Sequence, residues 1–540
     1  MTRKLLLAAL VAPLLLTAAP VSFLAHDAGY YGLQARWIEQ GGPWLAPLWF
    51  GQPLFDRCIG AQWLMALGLR LNGSTGDGLP ALLAGAVSLA LSGWLAQRLL
   101  PGSASERRQL AGLTVLLLAL TPLWLNQAHL ATQDMPLLAV ELAGIAALVA
   151  CSQEGEGGGR WPRLLVGLTP GLAFLIKGFM VAVPLLAITP FLLLERRWLL
   201  RRPCFWLGLV LGWLPVGLWL GASIHSFGLP VVAGLWDKLL FLSRSDAYAP
   251  GPFYYLWNIP VNTLPWSLAA LTGWPLLWRR GLSREASLVV LLYPLLMVLL
   301  LSAFRTKTPY YGLQITPWIA MAAAVALQRW SLAVAGRRRS IDLAIATVAA
   351  LVLTATGLVV LPAAPLHSLL AEARGLPGWP ALLLAGTGLG MAWLVAPWQR
   401  LPRRRLAVLL LGPWLALLTL TQAGLFSDRS PELRQALAAP AIQNLLRRPG
   451  IQAAAGQPLS EAEHAQLILL ALATADTPDQ LLQPQAVAPG QLVWIRRSEL
   501  DASGPWQVRL SAPALEDWVL AERRSTPPPS APSDPVQVLR

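Results

Sequence analysis

Long apolar stretches separated by short bursts of arginine leave this chain few places to fold except a lipid bilayer. The stretches read as Leu5–Leu24, Leu79–Leu100, Leu110–Leu125, Met135–Ala150, Leu164–Ile176, Phe179–Leu194, Phe205–Ile224, Tyr254–Leu277, Ala286–Phe304, Tyr310–Leu327, Ile341–Leu361, Trp379–Pro397 and Leu406–Phe426, about thirteen spans. Alternate loops hold the arginines: Arg98, Arg107 and Arg108; Arg160 and Arg163; Arg196, Arg197, Arg201 and Arg202; Arg279, Arg280 and Arg284; Arg329 and Arg337–Arg339; Arg400 and Arg403–Arg405. The intervening loops hold far fewer cations. Cytoplasmic loops are the basic ones, so the pattern predicts a cytoplasmic N-terminus and an extracytoplasmic C-terminal region.

Composition agrees. Only 13% of the 540 residues are charged against 55% hydrophobic, with a mean hydropathy of +0.54, too little charge to clothe a water-soluble protein of this size. The net charge of +14 could suggest nucleic acid, but its confinement to short loops excludes that class of partner. The 25 tryptophans suit a chain with two headgroup boundaries. Cys58, Cys151 and Cys204 have no metal-ligand spacing, and the topology puts Cys58 on the opposite side from the other two, so no disulfide framework follows.

Thr2-Arg3-Lys4 ahead of the first apolar run fits either an uncleaved anchor or a signal peptide with Thr17-Ala18-Ala19 near its cleavage site. Both leave Asp27 outside the cytoplasm. The first extracytoplasmic loop, residues 25–78, is too polar and too rich in Gly and Pro to cross a bilayer, yet dense in aromatics. Tyr30, Leu33, Trp37 and Ile38 share one helical face, with Gln34, Arg36 and Glu39 elsewhere. Ile59, Trp63, Ala66 and Leu67 repeat the pattern. Both segments are short, and both are expected to lie along the membrane interface.

The texture changes after Phe426, which divides a transmembrane domain, residues 1–426, from a small α/β domain, residues 427–524, outside the cytoplasm. Pro431–Arg448 and Glu461–Ala473 have helical spacing, while Gln491–Arg497, Trp506–Ser511 and Trp518–Glu522 read as strands. Residues 525–540 form a Pro-rich tail expected to be disordered. No internal repeat is visible, and the C-terminal domain shows no catalytic constellation.

Cations on the extracytoplasmic side run against the topological bias. Arg57, Lys177, Arg244 and Lys307 are there. Each alone could be snorkelling to a headgroup. Four from separate loops suit a phosphate or pyrophosphate whose charge must be neutralised. Three carboxylates fall on the same side: Asp27, Asp56 and Asp134. Asp134 could cap a helix or pair with a cation. A carboxylate such as Asp27 can accept the proton of a sugar-attacking hydroxyl.

The segments HDAGYYGLQARWIEQGGPWLAPLWFGQPLFDR, LTPLWLNQAHLATQDMPL, GLAFLIKG, PGPFYYLWNIPVNTLPW and LLLSAFRTKTPYYGLQITP occur in this order over roughly residues 1–330. Together they resemble the polyprenyl-phosphate-sugar-dependent glycosyltransferases of the GT-C fold (family 39), which include protein O-mannosyltransferases. The span number and outer C-terminal domain look most like the lipid A aminoarabinose transferases. The resemblance implies transfer of a sugar from a polyprenyl-phosphate donor, within the membrane, to a hydroxyl acceptor on the extracytoplasmic face of the cell membrane, with inversion. It implies Asp27 as the catalytic acid of the first loop. It matches Asp134, Lys177 and Lys307 to outer-face polar positions lining the cavity and Tyr311 to the Tyr four residues after the latter Lys, while Arg57, Lys177, Arg244 and Lys307 are expected to hold the donor phosphate from their place on the outer face. Phe55-Asp56-Arg57 stands where the family has an aromatic-Glu-Lys element that handles metal and lipid phosphate. Here Arg57-Cys58-Ile59 replaces Lys-Pro-Pro, and Ala249 replaces a His. A divalent metal held by Asp56 alone would be weakly bound, even with help from Asp246. A lipid-linked-sugar transporter or flippase would instead need paired polar groups at mid-membrane depth, where Glu141 is the main exception to apolar spans. An inactive membrane scaffold is the third reading. The sugar, and whether the acceptor is a lipid, a glycan or a Ser/Thr-bearing protein, have no readable code.

Overall fold

The computed structural model describes residues 3–17, 19–151, 159–244, 251–332, 392, 395–396, 399, 401–500 and 505–524. The expected span Ile341–Leu361, nearly all of Trp379–Pro397 and the tail 525–540 lie outside them. The described chain forms two compact units. One comprises residues up to Ala19 and from Ala81 to Phe426; the other joins Pro20–Pro80 to the described residues from Ser427 onward.

The first unit is helical. Six of its described helices are long and apolar enough to cross a bilayer: Gly76–Leu99, Arg160–Glu195, Pro203–Phe227, Arg284–Ala303, Pro309–Leu332 and Pro402–Gln422. A seventh crossing forms if Ala104–Ala119 and Pro122–Ala128, bent by 68°, count as one. The bend falls at Thr121, which is extended because the following proline disfavours helical backbone there. The chain is a multi-pass membrane protein. Arg160–Glu195, at 36 residues, is too long for one crossing. It is broken at Gly178, whose φ of 60° is left-handed, so the two expected spans Leu164–Ile176 and Phe179–Leu194 emerge as Arg160–Lys177 and Ala182–Glu195. The first expected span, Leu5–Leu24, is shorter than its apolar run: the helix is Arg3–Leu15, about 20 Å long, and Thr17 then turns the chain by accepting from Ala19 N–H.

Helix Thr316–Leu332 is the hub. Fifteen of its 17 residues are buried, against six of 25 in Pro203–Phe227. Its alanine run lets neighbours approach closely: a methyl added at Gly273 of helix Trp266–Arg279 would run into the Ala322 backbone. The same device joins helices Arg160–Lys177 and Pro203–Phe227, each carrying glycines four residues apart. A side chain at Gly167 would strike the Phe205 carbonyl, and one at Gly171 the Gly212 backbone. Gly208 and Gly212 meet Leu164 and Leu168 in the same way. Two buried donors bridge separate elements of this unit: Trp266 Nε1 donates to Leu120 O at 2.7 Å, and Arg405 to Trp330 O at 3.0 Å.

The second unit mixes helices and strands. A hairpin, β1 (Leu48–Trp49) and β2 (Gln52–Pro53), turns through Phe50 and Gly51, both at positive φ. The sheet comprises β3 (Gln452–Ala454), β4 (Leu481–Leu482), β5 (Leu492–Arg496), β6 (Trp506–Leu510) and β7 (Trp518–Arg523), in the order β4-β3-β5-β7-β6. β3 runs parallel to β4 and β5; β7 is antiparallel to β5 and β6. Helix Glu461–Ala473 packs on one face, as the spacing predicts, started by a reciprocal Ser460–Glu463 capping box. The predicted helix Pro431–Arg448 is two pieces, Pro431–Ala436 and Pro440–Leu446, because Pro440 begins a new first turn.

The loop of residues 20–80 is grouped with this C-terminal segment, whereas the sequence reading attached it to the transmembrane part. Helix Tyr30–Glu39 is covered on its polar and apolar sides alike: Tyr31 through Ile38 are all buried. Leu33, Trp37 and Phe50 join Ile468, Leu472, Trp494 and Trp518 in one core, where each buried aromatic contributes about 2–3 kcal/mol. The predicted polar face is therefore internal. Gln34 bonds Gln62 at 2.9 Å, and Arg36 donates to Leu472 O at 2.7 Å. Helix Gly60–Asn72 keeps an uncovered apolar stripe at Leu64, Leu67 and Leu71, opposite buried Met65 and Leu69.

The touching backbones make a sharp expectation. Gly171→Leu, or Gly212→Leu, forces the two helices apart. Either variant is expected to lose most of its monodisperse folded material in detergent, whereas Gly217→Leu, with open space around it, keeps wild-type thermal stability. Equal melting temperatures for all three variants would remove the packing argument.

Candidate functional site

The expected site residues fall into two groups, one on each unit. In the second unit, Asp27 lies in the tight turn Ala25–Gly29 between an extended Leu24 and helix Tyr30–Glu39. The turn closes with Gly29 N–H on Leu24 O at 2.6 Å, and Tyr30 N–H donates to the Asp27 carbonyl. Glycine is required at position 29, since an added Cβ would sit 2.5 Å from Leu24 O. Asp27 itself has φ 55° and ψ −89°, which costs on the order of 1–3 kcal/mol outside glycine. Such backbone is kept only where the surroundings over-determine it. Asp27 is half-buried, and His26 beside it is exposed.

Asp56 and Arg57 follow β2. Arg57 Nε donates to Asp56 Oδ2 at 3.0 Å, and its Nη1 donates to the Tyr31 hydroxyl. The guanidinium also lies 4.6 Å from the Tyr30 ring centroid and 4.8 Å from that of Tyr31. Tyr30 O–H reaches both Asp56 oxygens at 3.4 Å, and its ring packs 5.1 Å from Trp49. Burial works against the Arg57 charge, but Tyr31, Asp56 and Tyr30 outweigh it and hold the guanidinium above its ordinary range. Burial, then the Asp56 charge, raises the Tyr30 phenol, which keeps its proton. The neighbouring Cys58 thiol is pushed up to about 12 by burial and is no nucleophile. The forked guanidinium is thus a cation whose orientation is fixed by an acid and two rings. The aromatic content of the first loop was plain in the sequence; that Tyr30 and Tyr31 form a seat for Arg57 was not.

In the first unit, Lys177 ends helix Arg160–Lys177 and forms an ion pair with Asp134, the first residue of helix Asp134–Ala150. The side chains are 10% and 11% exposed, so the pair is essentially out of water. Asp134 does not cap its helix: Gln133 occupies that position, with no side-chain capping bond. The ammonium lies 5.2 Å and 5.0 Å from the centroids of Tyr310 and Tyr311. Tyr311 was expected here; Tyr310 was missed. Tyr-Tyr doublets at residues 30–31, 254–255 and 310–311 were the available signal. Tyr255 O–H ties to Thr308 on both sides, donating to its carbonyl and accepting from its N–H at 3.3 Å each. Lys307 donates to Phe304 O and is buried. Two turns below Asp134, Glu141 accepts from Gln314 Nε2 at 3.0 Å, a polar link across helices that the apolar pattern concealed.

Arg244 ends helix Pro230–Arg244, a segment the sequence reading did not pick out; Asp246 and Ala249 lie outside the described residues. Among the described residues no group of three or more His, Cys, Asp or Glu side chains could hold a metal ion. Asp56 is committed to Arg57 and Tyr30, which does not fit a divalent cation.

Residues 56–220, which include Asp56, Arg57, Asp134 and Lys177, match the family model described as dolichyl-phosphate-mannose-protein mannosyltransferase. Among curated proteins, the chain is 28% identical over 321 residues to an undecaprenyl phosphate-α-4-amino-4-deoxy-L-arabinose arabinosyl transferase of Edwardsiella ictaluri, covering 56% of this chain and 55% of that one. It is 30% identical over 289 residues to the protein of the same description in Pseudomonas aeruginosa, covering 50% and 49%. The chain thus spans about half the length of the curated relatives it matches. A crystal structure of ArnT from Cupriavidus metallidurans bound to undecaprenyl phosphate superposes with a TM-score of 0.77 over 98% of this chain and 99% of that one, at 18% identity. Its apo form gives 0.72. The structural likeness bears out the expected GT-C fold, and the family match and the curated relatives bear out the resemblance read from the ordered segments.

The Asp134–Lys177 pair generates its own test. Lys177→Met strands a buried carboxylate and is expected to cost about 3 kcal/mol of stability, whereas Lys177→Met with Asp134→Asn recovers most of it. Thermal unfolding in detergent checks both, and equal losses in the two variants would contradict a buried pair.

Proposed function

We propose that this protein is a membrane glycosyltransferase that moves a sugar from an undecaprenyl-phosphate carrier to a hydroxyl acceptor on the extracytoplasmic face. The supporting observation is that the segment matching the mannosyltransferase family, residues 56–220, carries the two cations seated on tyrosine pairs, Arg57 and Lys177. The relatives' shared description makes 4-amino-4-deoxy-L-arabinose the first sugar to test. On this reading the protein sits in the inner membrane with its N-terminus cytoplasmic, and the C-terminal domain is extracytoplasmic, following the loop arginines.

In the reaction the acceptor hydroxyl oxygen attacks the anomeric carbon while its proton passes to the Asp27 carboxylate. The bond between that carbon and the phosphate oxygen breaks, and the electron pair leaves with undecaprenyl phosphate. A single displacement inverts the anomeric centre. Arg57, Lys177, Arg244 and Lys307 are assigned to the donor phosphate, whose charge grows as the bond breaks. Asp56 and Asp134 hold the first two cations in orientation for the singly charged phosphodiester, which gains its second charge as the bond to the sugar breaks. Asp134 and Tyr311 line the polar side of the donor pocket on this reading.

Asp27→Asn isolates the base, because asparagine tolerates the left-handed backbone of that turn. Purified protein is given undecaprenyl phosphate-4-amino-4-deoxy-L-arabinose and a membrane lipid extract, and free undecaprenyl phosphate is followed. Wild type is expected to release it, and Asp27→Asn to fall by about a thousandfold at unchanged melting temperature. Full activity in the variant refutes the base; no release by wild type refutes the donor.

A further inference from the structure

The strained turn that holds Asp27 is built from both ends of the chain. Upstream, Ser22 donates to the Asp428 carboxylate, Ser430 Oγ donates to Phe23 O at 2.9 Å, and Ser427 Oγ to Pro20 O at 2.9 Å. Downstream, Trp37 Nε1 donates to Pro478 O at 3.0 Å, Arg36 to Leu472 O at 2.7 Å, and Gln40 exchanges bonds with Ala475 and Thr477 at 3.2 Å each. Directly against the turn lies helix Glu461–Ala473: a Cβ placed on Gly29 would stand 3.0 Å from Ile468 Cγ2. Every one of these partners belongs to the C-terminal segment, more than 400 residues away in sequence. A left-handed aspartate with ψ near −89° relaxes unless something stops it. Here the stops are the sheet domain's helix and the turn of residues 472–478.

We propose that Ile468 is a positioning residue for Asp27, and that the C-terminal domain is the backing plate of the catalytic loop. The proposal rests on the reading of Asp27 as the base. Ile468 touches no reacting atom. It keeps the 25–29 turn in its strained form, so that the carboxylate is presented in one orientation and pays no reordering on each turnover.

The test compares Ile468→Ala, Ile468→Val and Trp37→Phe in the full-length protein, the last staying aromatic but losing the five-membered ring and the N–H donated to Pro478 O. Turnover with undecaprenyl phosphate-4-amino-4-deoxy-L-arabinose is measured together with amide hydrogen exchange of residues 24–30. Ile468→Ala is expected to lower kcat about tenfold with donor KM within twofold, and to speed exchange at 25–29. Ile468→Val restores most of both, and Trp37→Phe gives a smaller effect of the same kind. Faster exchange with unchanged kcat overturns the proposal, as does a fall in kcat with unchanged exchange. Should Ile468→Ala fail to fold, Ile468→Val and Trp37→Phe decide alone on the same two readouts. Asp27→Asn run in parallel separates the failures. If it is active, the base reading falls; if it is inactive beside unaltered positional variants, only the brace falls.

Discussion

Charge taken out of water must find a partner, and the placement of this chain's polar groups follows from that requirement. Arg57 is held by Asp56, the Tyr31 hydroxyl and two aromatic faces; Lys177 is held by Asp134 and two more. Arg36 ends on a backbone carbonyl, and burial holds its guanidinium below the usual range while Asp77 opposes the shift. In each case the partner fixes orientation as well as charge. A cation that snorkels into headgroups needs no such seat. The four tyrosines under Arg57 and Lys177 hold two cations in fixed orientation, as the proposed donor-phosphate role requires.

Period and charge told most of the membrane frame. Apolar runs and arginine bursts marked the described spans, while Leu5–Leu24 is helical only over Arg3–Leu15, Leu110–Leu125 is bent at Thr121 before Pro122, and Tyr254–Leu277 is divided into Tyr254–Asn262 and Trp266–Arg279. In the C-terminal domain Glu461–Ala473 and three strands were legible because each has its own period or its own run of β-branched and aromatic residues. β3 and β4 were not, having three and two residues, too few for any alternation to register. The glycine contacts between Arg160–Lys177 and Pro203–Phe227 were visible as spacings, but spacing alone does not say which helix answers which.

The grouping of residues 20–80 with the C-terminal segment was beyond local reading for a different reason. Its hydrogen bonds join positions some 400 residues apart, and no periodicity encodes a partner at that distance. The amphipathic pattern of Tyr30–Glu39 correctly announced a helix with one apolar face. It could not say that the polar face would also be covered, with Gln34 answered by Gln62 and Arg36 by Leu472. The candidate residues themselves came from topology and resemblance, and the tyrosine seats came from the structure.

Two helices whose backbones meet at Gly167, Gly171, Gly208 and Gly212 behave mechanically as one girder. At those four positions no side chain stands between them, and Phe174 packs on Trp213 just beyond, so neither can roll or creep along the other without tearing the contact. Lys177 is the last residue of that girder. Its ammonium stands on a rigid post, and any give in this part of the fold falls to the connections beyond the girder's ends, at Gly178 and after Phe227.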